Sequence, residues 1–556
     1  MKDKIAEILA NETKLELDLV NSLLEVPPEI DLGDFAFPCF ALSKKLKKAP
    51  AAISADLEKS LKKKMPKGVS EVKATGPYLN FFLDKAILAQ KVLDDVDDKK
   101  WGENKDGKGK KVCIDLSAPN IAKPFGVGHL RSTIIGDSIS KIANANGYET
   151  IKINYLGDWG TQFGKLVLAY KKWGKDSELK KDPIGHLQKL YVKINKTDEF
   201  DDDARLEFKK LEDGNPNNLA IWKEFKDFSI VKFDEIYKLL NVEFDVISGE
   251  SEYNDKMQDM VDLLKKKKLL KESEGALIVD LKKEKEGVVL IQKNDGTSLY
   301  ATRDLAAAID RYDKYKFDKL IYEVGNEQSL HFRQVFKVLE KLGLKWAKNC
   351  EHVSHGLYLD ADGKKFSTRK GKTVYMSEIL EETVEKASKN LRERSETLSG
   401  KELKKRALVI AIAAIKYGDL KTHRQNSIVF DIDRFLAFEG DTGPYLLYSY
   451  ARASSILRKA ESSAKLKINN IEKSEASLVK KIDSFPDVVK KAYESLSPNI
   501  IANYAYELCQ TFNEFYHSCP VMGSDSEGFR LELVKAFRVA LKKSLDLLGI
   551  ETLEEM

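Results

Sequence analysis

The sequence predicts an α/β protein: a parallel sheet interrupted by a mainly helical insertion, with an α+β module before it and an all-α region after it. Three observations carry this. Residues 111–155 read as strand, glycine-bearing turn, helix, strand; β-rich runs resume near 275 after a long charged segment of helical period; and beyond about 376 the period is helical almost to the end.

Size and composition bound the reading. At 556 residues the chain exceeds what one core supports, so two to four domains are expected, here 1–105, 106–395 with an insertion at about 165–275, and 396–556. The most apolar stretch, Ala407 to Ile415, is about half of a membrane span, and the N-terminus lacks a signal-like apolar segment, so a cytoplasmic protein is expected. Five scattered cysteines show no zinc spacing, so neither disulfides nor a structural metal is expected. Net charge is only +5, yet 33% of residues are charged, so local patches matter more than the total, and a polyanionic partner is allowed.

In the N-terminal module, Asp34 to Phe40 leads into a lysine-rich amphipathic helix over Ala41 to Lys48, and Gly76 to Leu83 reads as a strand. Lys44, Lys45, Lys47 and Lys48 fit either phosphate binding or a solvated face. Lys99 to Lys111, with three glycines, is the linker.

The stretch Ser117 to Thr133 then needs explaining. Lys111 to Leu116 is a short apolar strand, Pro119 and Pro124 keep the next residues extended, and Ile135, Ile139 and Ile142 recur at helical spacing up to Asn146-Gly147, a left-handed cap. Gly126 and Gly128 let the backbone approach a ligand where the helix begins and its unpaired N–H groups carry partial positive charge, with Lys123 and His129 as further donors. A single Gly-x-Gly pair also suits an ordinary tight turn.

After the insertion the sheet is expected to resume with Gly275 to Leu281 and Val288 to Gln292, followed by a helix from Arg303 to Tyr315, a strand over Leu320 to Val324, a helix from Ser329 to Leu342 and a strand over Val353 to Leu359. Gly363 to Lys372 packs five cations into ten residues, a density that binds phosphate or is merely solvated. The last helices run from Ile500 to Phe515 and from Phe529 to Leu548, and their aromatics serve either as core or as nucleobase platforms.

Seven strings in order, Ser117 to Pro124, Gly128 to Thr133, Asn154 to Gly164, Tyr300 to Leu305, Gly325 to Phe332, Lys365 to Gly371 and Asp441 to Tyr445, resemble the class I aminoacyl-tRNA synthetases, and among them the arginyl-tRNA synthetase family. The resemblance spans essentially the whole chain. It implies a Rossmann-like catalytic domain, an N-terminal module touching the outer corner of the tRNA, and a helical anticodon-binding tail. It also implies a reaction: ATP, carried with Mg2+, activates L-arginine to arginyl-adenylate, and arginine passes to the 3′ end of tRNA(Arg). A cytoplasmic monomer that activates arginine only with tRNA bound is expected.

By the same resemblance Lys123, His129, Lys365, Arg369 and Lys370 are the catalytic residues, and Pro119, Gly126, Val127, Gly128, His129, Phe366 and Ser367 bind ATP. Two signatures depart from the family pattern. Gly126 stands where the first usually opens with histidine, and Thr368 stands where the second carries its second lysine; Lys123, just upstream of the first signature, takes that lysine's place. Arginine is assigned to Asp115, Asn120, Tyr300, Asp304 and Gln328. A planar fork of donors wants a carboxylate held edge-on, and Asp304 lies one helical turn beyond Tyr300. A pocket of that kind rejects lysine without an editing site. Tyr516 and Met556 are the candidate anticodon contacts. Three other readings remain open from the residues: another nucleotidyl transferase of this fold, a catalytically silent tRNA-binding paralogue, and an RNA-binding scaffold.

Overall fold

The computed structural model describes residues 1–27, 30–293, 300–365, 368–369, 372–373, 375–394, 398–460, 465–468 and 470–556. Two compact units divide the chain: Met1–Trp101 with Ala453–Phe485 and Glu507–Ala540, and Gly102–Arg452 with Pro486–Tyr506 and Leu541–Met556. Part of the helical region, Ala453–Phe485 and Glu507–Ala540, clusters with the N-terminal module.

In the first unit, β1 (Phe35–Pro38), β2 (Val69–Thr75) and β3 (Tyr78–Leu83) form an antiparallel sheet in the order β1-β3-β2. The lysine-rich helix spans Phe40–Leu46 and stops where Lys47 turns left-handed at φ 51°. Lys48 pairs with Asp56 and Lys45 donates to the Lys14 carbonyl, so these two cations already have protein partners. Tail and module interlock through Trp101 against Phe485, ring centroids 5.1 Å apart, and through ion pairs from Lys91 to Asp483 and Lys480 to Asp34.

In the second unit, β4 (Lys111–Asp115), β5 (Glu149–Leu156) and β6 (Val246–Gly249) join two later strands, β10 (Lys319–Gly325) and β11 (Cys350–His355), in a parallel sheet ordered β11-β10-β4-β5-β6. Its middle is a dry apolar layer: Val112, Cys113, Ile114, Leu320, Ile321 and Val353 are fully buried. Helix α1 (Val127–Ala145) follows β4, buries Ile134, Ile135, Ile139 and Ile142, and approaches so closely that a Cβ at Gly136 would overlap the Leu116 side chain. The insertion supplies α2 (Pro216–Leu239). Next to the sheet lie α3 (Tyr300–Tyr315) and α4 (Ser329–Lys341), whose Leu305, Ala308, Val335, Val338 and Leu339 share one core with Cys113 and Leu320.

The structure corrects the sequence reading in two respects. The expected strand over Val353 to Leu359 ends at His355, and Tyr358–Leu359 pairs with Ile428–Val429 in a sheet of their own. The runs at 276–281 (β8) and 287–292 (β9) do not continue it; they pair with β7 (Leu270–Ser273) in a separate antiparallel sheet. Along β9, Val289 and Ile291 are buried while Val288 and Leu290 are exposed, the alternation of a sheet solvated on one face. The missing strand of the parallel sheet is β6, four residues inside the stretch expected to be helical. So short an edge strand leaves no periodic trace.

Candidate active site

β4 ends at Asp115, and the chain leaves it through three non-glycine residues in the left-handed region, Ser117 (φ 73°), Ala118 (φ 47°) and Ala122 (φ 57°). Such backbone costs energy and persists only where its surroundings dictate it. Here hydrogen bonds do so. The Ser117 N–H donates to Ser132 Oγ at 2.9 Å, and the Ser132 hydroxyl donates to the Glu323 carbonyl at 2.7 Å, tying the turn to α1 and β10. Ser117 Oγ shares hydrogen bonds with Tyr237 and Thr133, each at 2.8 Å, and the Ala122 N–H donates to Ser229 Oγ at 2.8 Å. Ser229 and Tyr237 lie on α2, so the insertion buttresses the turn.

Beside it, the Gly157 N–H donates to the Pro119 carbonyl at 3.1 Å, and the Ile121 N–H to the Gly157 carbonyl at 3.2 Å. Asn120 faces Gly157 so closely that any Cβ there would strike Asn120 Oδ1. Asp158, next in the chain, is fully buried; it accepts from Lys226 Nζ on α2 at 2.7 Å and from the backbone N–H of Ser251 at 2.8 Å. One carboxylate thus fixes both the buttressing helix and the segment after β6.

Gly126 caps α1, and its N–H donates to His129 Nδ1 at 3.3 Å. That bond requires the imidazole to present Nδ1 as acceptor and leaves Nε2 as a donor. Burial pushes the His129 pKa down to about 4, with the Lys123 and His355 charges adding to the effect, so the ring is neutral at pH 7. Phe125 packs on it at 5.4 Å and meets Phe233 and Tyr237 of α2 edge-on. Lys123 is half-buried, donates to Gln162 Oε1 at 3.1 Å and lies 5.3 Å from the Tyr191 ring; burial lowers its pKa. Val127 is buried and Gly128 exposed. The turn therefore gathers Pro119, Asn120, Lys123 and residues 126–129 at one end of the parallel sheet, where unpaired helix N–H groups favour anions.

The other side of the site is acidic. Asp115 pairs with Arg311 at 2.7 Å, both buried; burial raises the Asp115 pKa to about 6, the arginine opposes that rise, and Asp304 adds to it. The carboxylate assigned to substrate is thus already held by a residue of α3. Asp304 accepts from His331 Nε2 at 2.6 Å, and Arg303 reaches Glu250 at 3.4 Å. Burial pushes Glu250 up to about 7; Arg303 opposes this, while Asp304 and Asp158 add to it. Tyr300 is exposed, and Gln328, exposed, caps α4.

Lys365 pairs with Glu327 at 3.6 Å, next to Gln328. Thr368–Arg369 pairs antiparallel with Lys372–Thr373. Phe366, Ser367 and Lys370 lie outside the described residues. Tyr516 falls in the first unit, stacked on Phe512, and Met556 in the second. Sequence reasoning missed Glu250, His331, Arg303, Arg311 and Tyr237. His331 stood inside the Glu-Gln-Ser-Leu-His-Phe string, whereas Glu250 follows the strand that left no periodic trace. Among the described residues no helix is long and apolar enough to cross a membrane, and no cluster of acidic, histidine or cysteine side chains forms a metal site.

A parallel sheet whose first strand opens through a strained, buttressed turn onto a helix N-terminus, with a cluster of carboxylates alongside, is the architecture of a class I aminoacyl-tRNA synthetase. The family model described as tRNA synthetases class I (R), catalytic domain, matches residues 90–432; those of the DALR anticodon binding domain and the arginyl tRNA synthetase N terminal domain match 446–556 and 1–83. The arginine–tRNA ligase of Clostridium perfringens is 44% identical over 568 residues, covering 100% of both chains, and that of Ligilactobacillus salivarius is 44% identical over 567, again covering both fully. The solved Thermus thermophilus arginyl-tRNA synthetase superposes with a TM-score of 0.82 at 25% identity, covering 96% of each chain. The Plasmodium falciparum enzyme also gives 0.82 at 25%, covering 100% of this chain and 99% of its own. The chain belongs to the arginyl-tRNA synthetase family.

Proposed function

We propose that this chain activates L-arginine with ATP, releasing pyrophosphate, and transfers the arginine from its adenylate to the terminal adenosine of tRNA(Arg). The observation that carries the reading is the opposition of two fields in one site: helix N–H groups, Lys123 and neutral His129 at the turn, and Asp115, Glu250 and Asp304 opposite. A triphosphate and a guanidinium are the ligands those fields select.

In this reading ATP would enter as its Mg2+ complex; the arginine carboxylate attacks the α-phosphate, the bond to the β,γ-diphosphate breaks, and charge builds on the leaving pyrophosphate. His129 Nε2–H, Lys123 and the backbone of Gly126 to Gly128 meet that charge, with Lys365, Arg369 and Lys370 brought from the second signature. Pro119, Val127, Phe366 and Ser367 complete the nucleotide site. Asp304 takes the guanidinium, Glu250 sharing it, while Tyr300, Asn120 and Gln328 line the recess; Asp115, held by Arg311, fixes the recess's inner wall. Neutral His129 suits this work, since the ring donates without needing to ionise.

The three segments 1–105, 106–395 and 396–556, a cytoplasmic monomer, anticodon contacts from Tyr516 and Met556, and a requirement for bound tRNA during activation remain parts of the proposal. Charging of tRNA(Arg) with radiolabelled arginine and ATP tests it, set beside ATP–pyrophosphate exchange with and without tRNA. No charging would sink the main reading, and equal exchange in both samples the tRNA requirement alone.

A further inference from the structure

Asp304 is not a free carboxylate. Its Oδ2 accepts from His331 Nε2 at 2.6 Å, across from α3 to the first turn of α4, with His331 about a quarter and Asp304 about a fifth exposed. The imidazole is itself held: its ring meets Phe332 edge-on at 5.3 Å, and Phe332, buried, packs against Tyr322 at 4.6 Å and His352 at 4.9 Å. An aspartate's χ2 is a broad two-fold torsion, so a carboxylate without a fixed partner has no fixed plane. Recognition of a guanidinium by two parallel hydrogen bonds depends on that plane. Gln328 lies three residues before His331, at the N-terminal cap of α4.

We propose that His331 is a specificity-determining positioning residue: by occupying one oxygen of Asp304 it fixes the carboxylate edge-on to the substrate guanidinium. The inference rests on the assignment of Asp304 to arginine made above. Its signature is a split in the kinetics. Losing His331 weakens ground-state binding of arginine and leaves the nucleotide side alone.

The experiment is ATP–pyrophosphate exchange with tRNA present, on His331→Leu, His331→Gln, Asp304→Asn and the double variant His331→Leu/Asp304→Asn. His331→Leu should raise the arginine KM by about tenfold, with kcat and the ATP KM within about twofold of the parent. His331→Gln, whose Nε2 can reach nearly the same point, should recover most of the loss. On the Asp304→Asn background His331→Leu should add little, because two residues acting through one contact are not additive. An unchanged arginine KM in His331→Leu, a glutamine no better than leucine, or an equal effect on both backgrounds would overturn the inference. If Asp304→Asn itself leaves the arginine KM unchanged, the assignment of Asp304 fails instead. Thermal melting shows whether each variant folds; should leucine not be tolerated, His331→Asn, its donor withdrawn by one methylene, carries the same expectation.

Discussion

The turn at 115–129 and the carboxylate cluster around α3 solve opposite binding problems with different materials. The turn holds its strained backbone through hydroxyls, Ser132, Ser229 and Tyr237, and presents N–H groups and a neutral imidazole, so its field is diffuse and tolerant of exactly where a phosphate oxygen sits. The cluster holds charged side chains and gives each a partner: Asp115 has Arg311, Glu250 has Arg303 and Asp304 has His331. Tolerance suits a leaving group that moves during reaction. Fixed planes suit a side chain that must be told from lysine.

The largest effect should come from breaking the turn's cationic side. Lys123→Ala should lower the activation rate by about 10² to 10³, the usual loss for one transition-state donor, with little change in arginine KM. Adding Thr368→Lys should restore part of it, as single-turnover adenylate formation would show. Parent rates in both variants would mean that Lys123, bound to Gln162 and lying beside Tyr191, is structural only.

Breaking the cluster should show in binding instead. Asp304→Ala removes a charge-assisted pair worth about 1.5–3 kcal/mol and should raise the arginine KM by tens-fold, measured by exchange at saturating ATP. The nearby Glu250 sets a limit to that loss, since it remains to share the guanidinium.

What the sequence could show of these two regions follows from their materials. The turn was legible because glycines, prolines and a strand-to-helix change of period lie within a few residues of one another. The buttress was not: Ser229 and Tyr237 occupy ordinary helical positions about a hundred residues away, and nothing local marks a hydroxyl that will meet a turn. Likewise Asp304 was visible through the Tyr-Ala-Thr-Arg-Asp string, but its pairing with His331, and that of Asp115 with Arg311, are tertiary facts. Glu250 stayed hidden because β6 is too short to have a period, and the residues it buries are the small Ser248 and Gly249 rather than the apolar Val246 and Ile247.

A smaller effect sharpens the contrast through pH. Glu250, pushed up from its ordinary 4.5 to about 7, favours its neutral form in the empty protein. A folded-state pKa raised this way contributes stability fully present below the ordinary value and lost as pH rises through about 7. Arginine, a cation, binds the ionised form, so its KM should fall by up to about tenfold between pH 6 and pH 8, and binding near pH 7 should release protons. Calorimetry in two buffers of different ionisation enthalpy measures the release. His129 works the other way: depressed to about 4, it is neutral across that range, and its penalty on the folded state grows only as pH falls from its ordinary 6.5 towards 4. The ATP KM should therefore stay flat between pH 6 and 8 so far as His129 sets it.

The smallest effect asks whether the turn lacks anything. Gly126 stands where the family's first signature usually opens with histidine, at the cap of α1, with φ −88° and ψ 165° that any residue adopts. A Cβ built there meets no atom within 4 Å, so glycine is not required by packing or by backbone. Gly126→His should therefore fold with an unchanged melting temperature. If the diffuse field of N–H groups, Lys123 and His129 is one donor short, the new imidazole should lower the ATP KM or raise the activation rate by about threefold, the value of one modest hydrogen bond. If instead the backbone field already meets every phosphate oxygen, neither constant should move. An unchanged pair of constants in a folded variant would show that the backbone N–H groups, Lys123 and His129 already meet the phosphates, and that the turn needs no side chain at position 126.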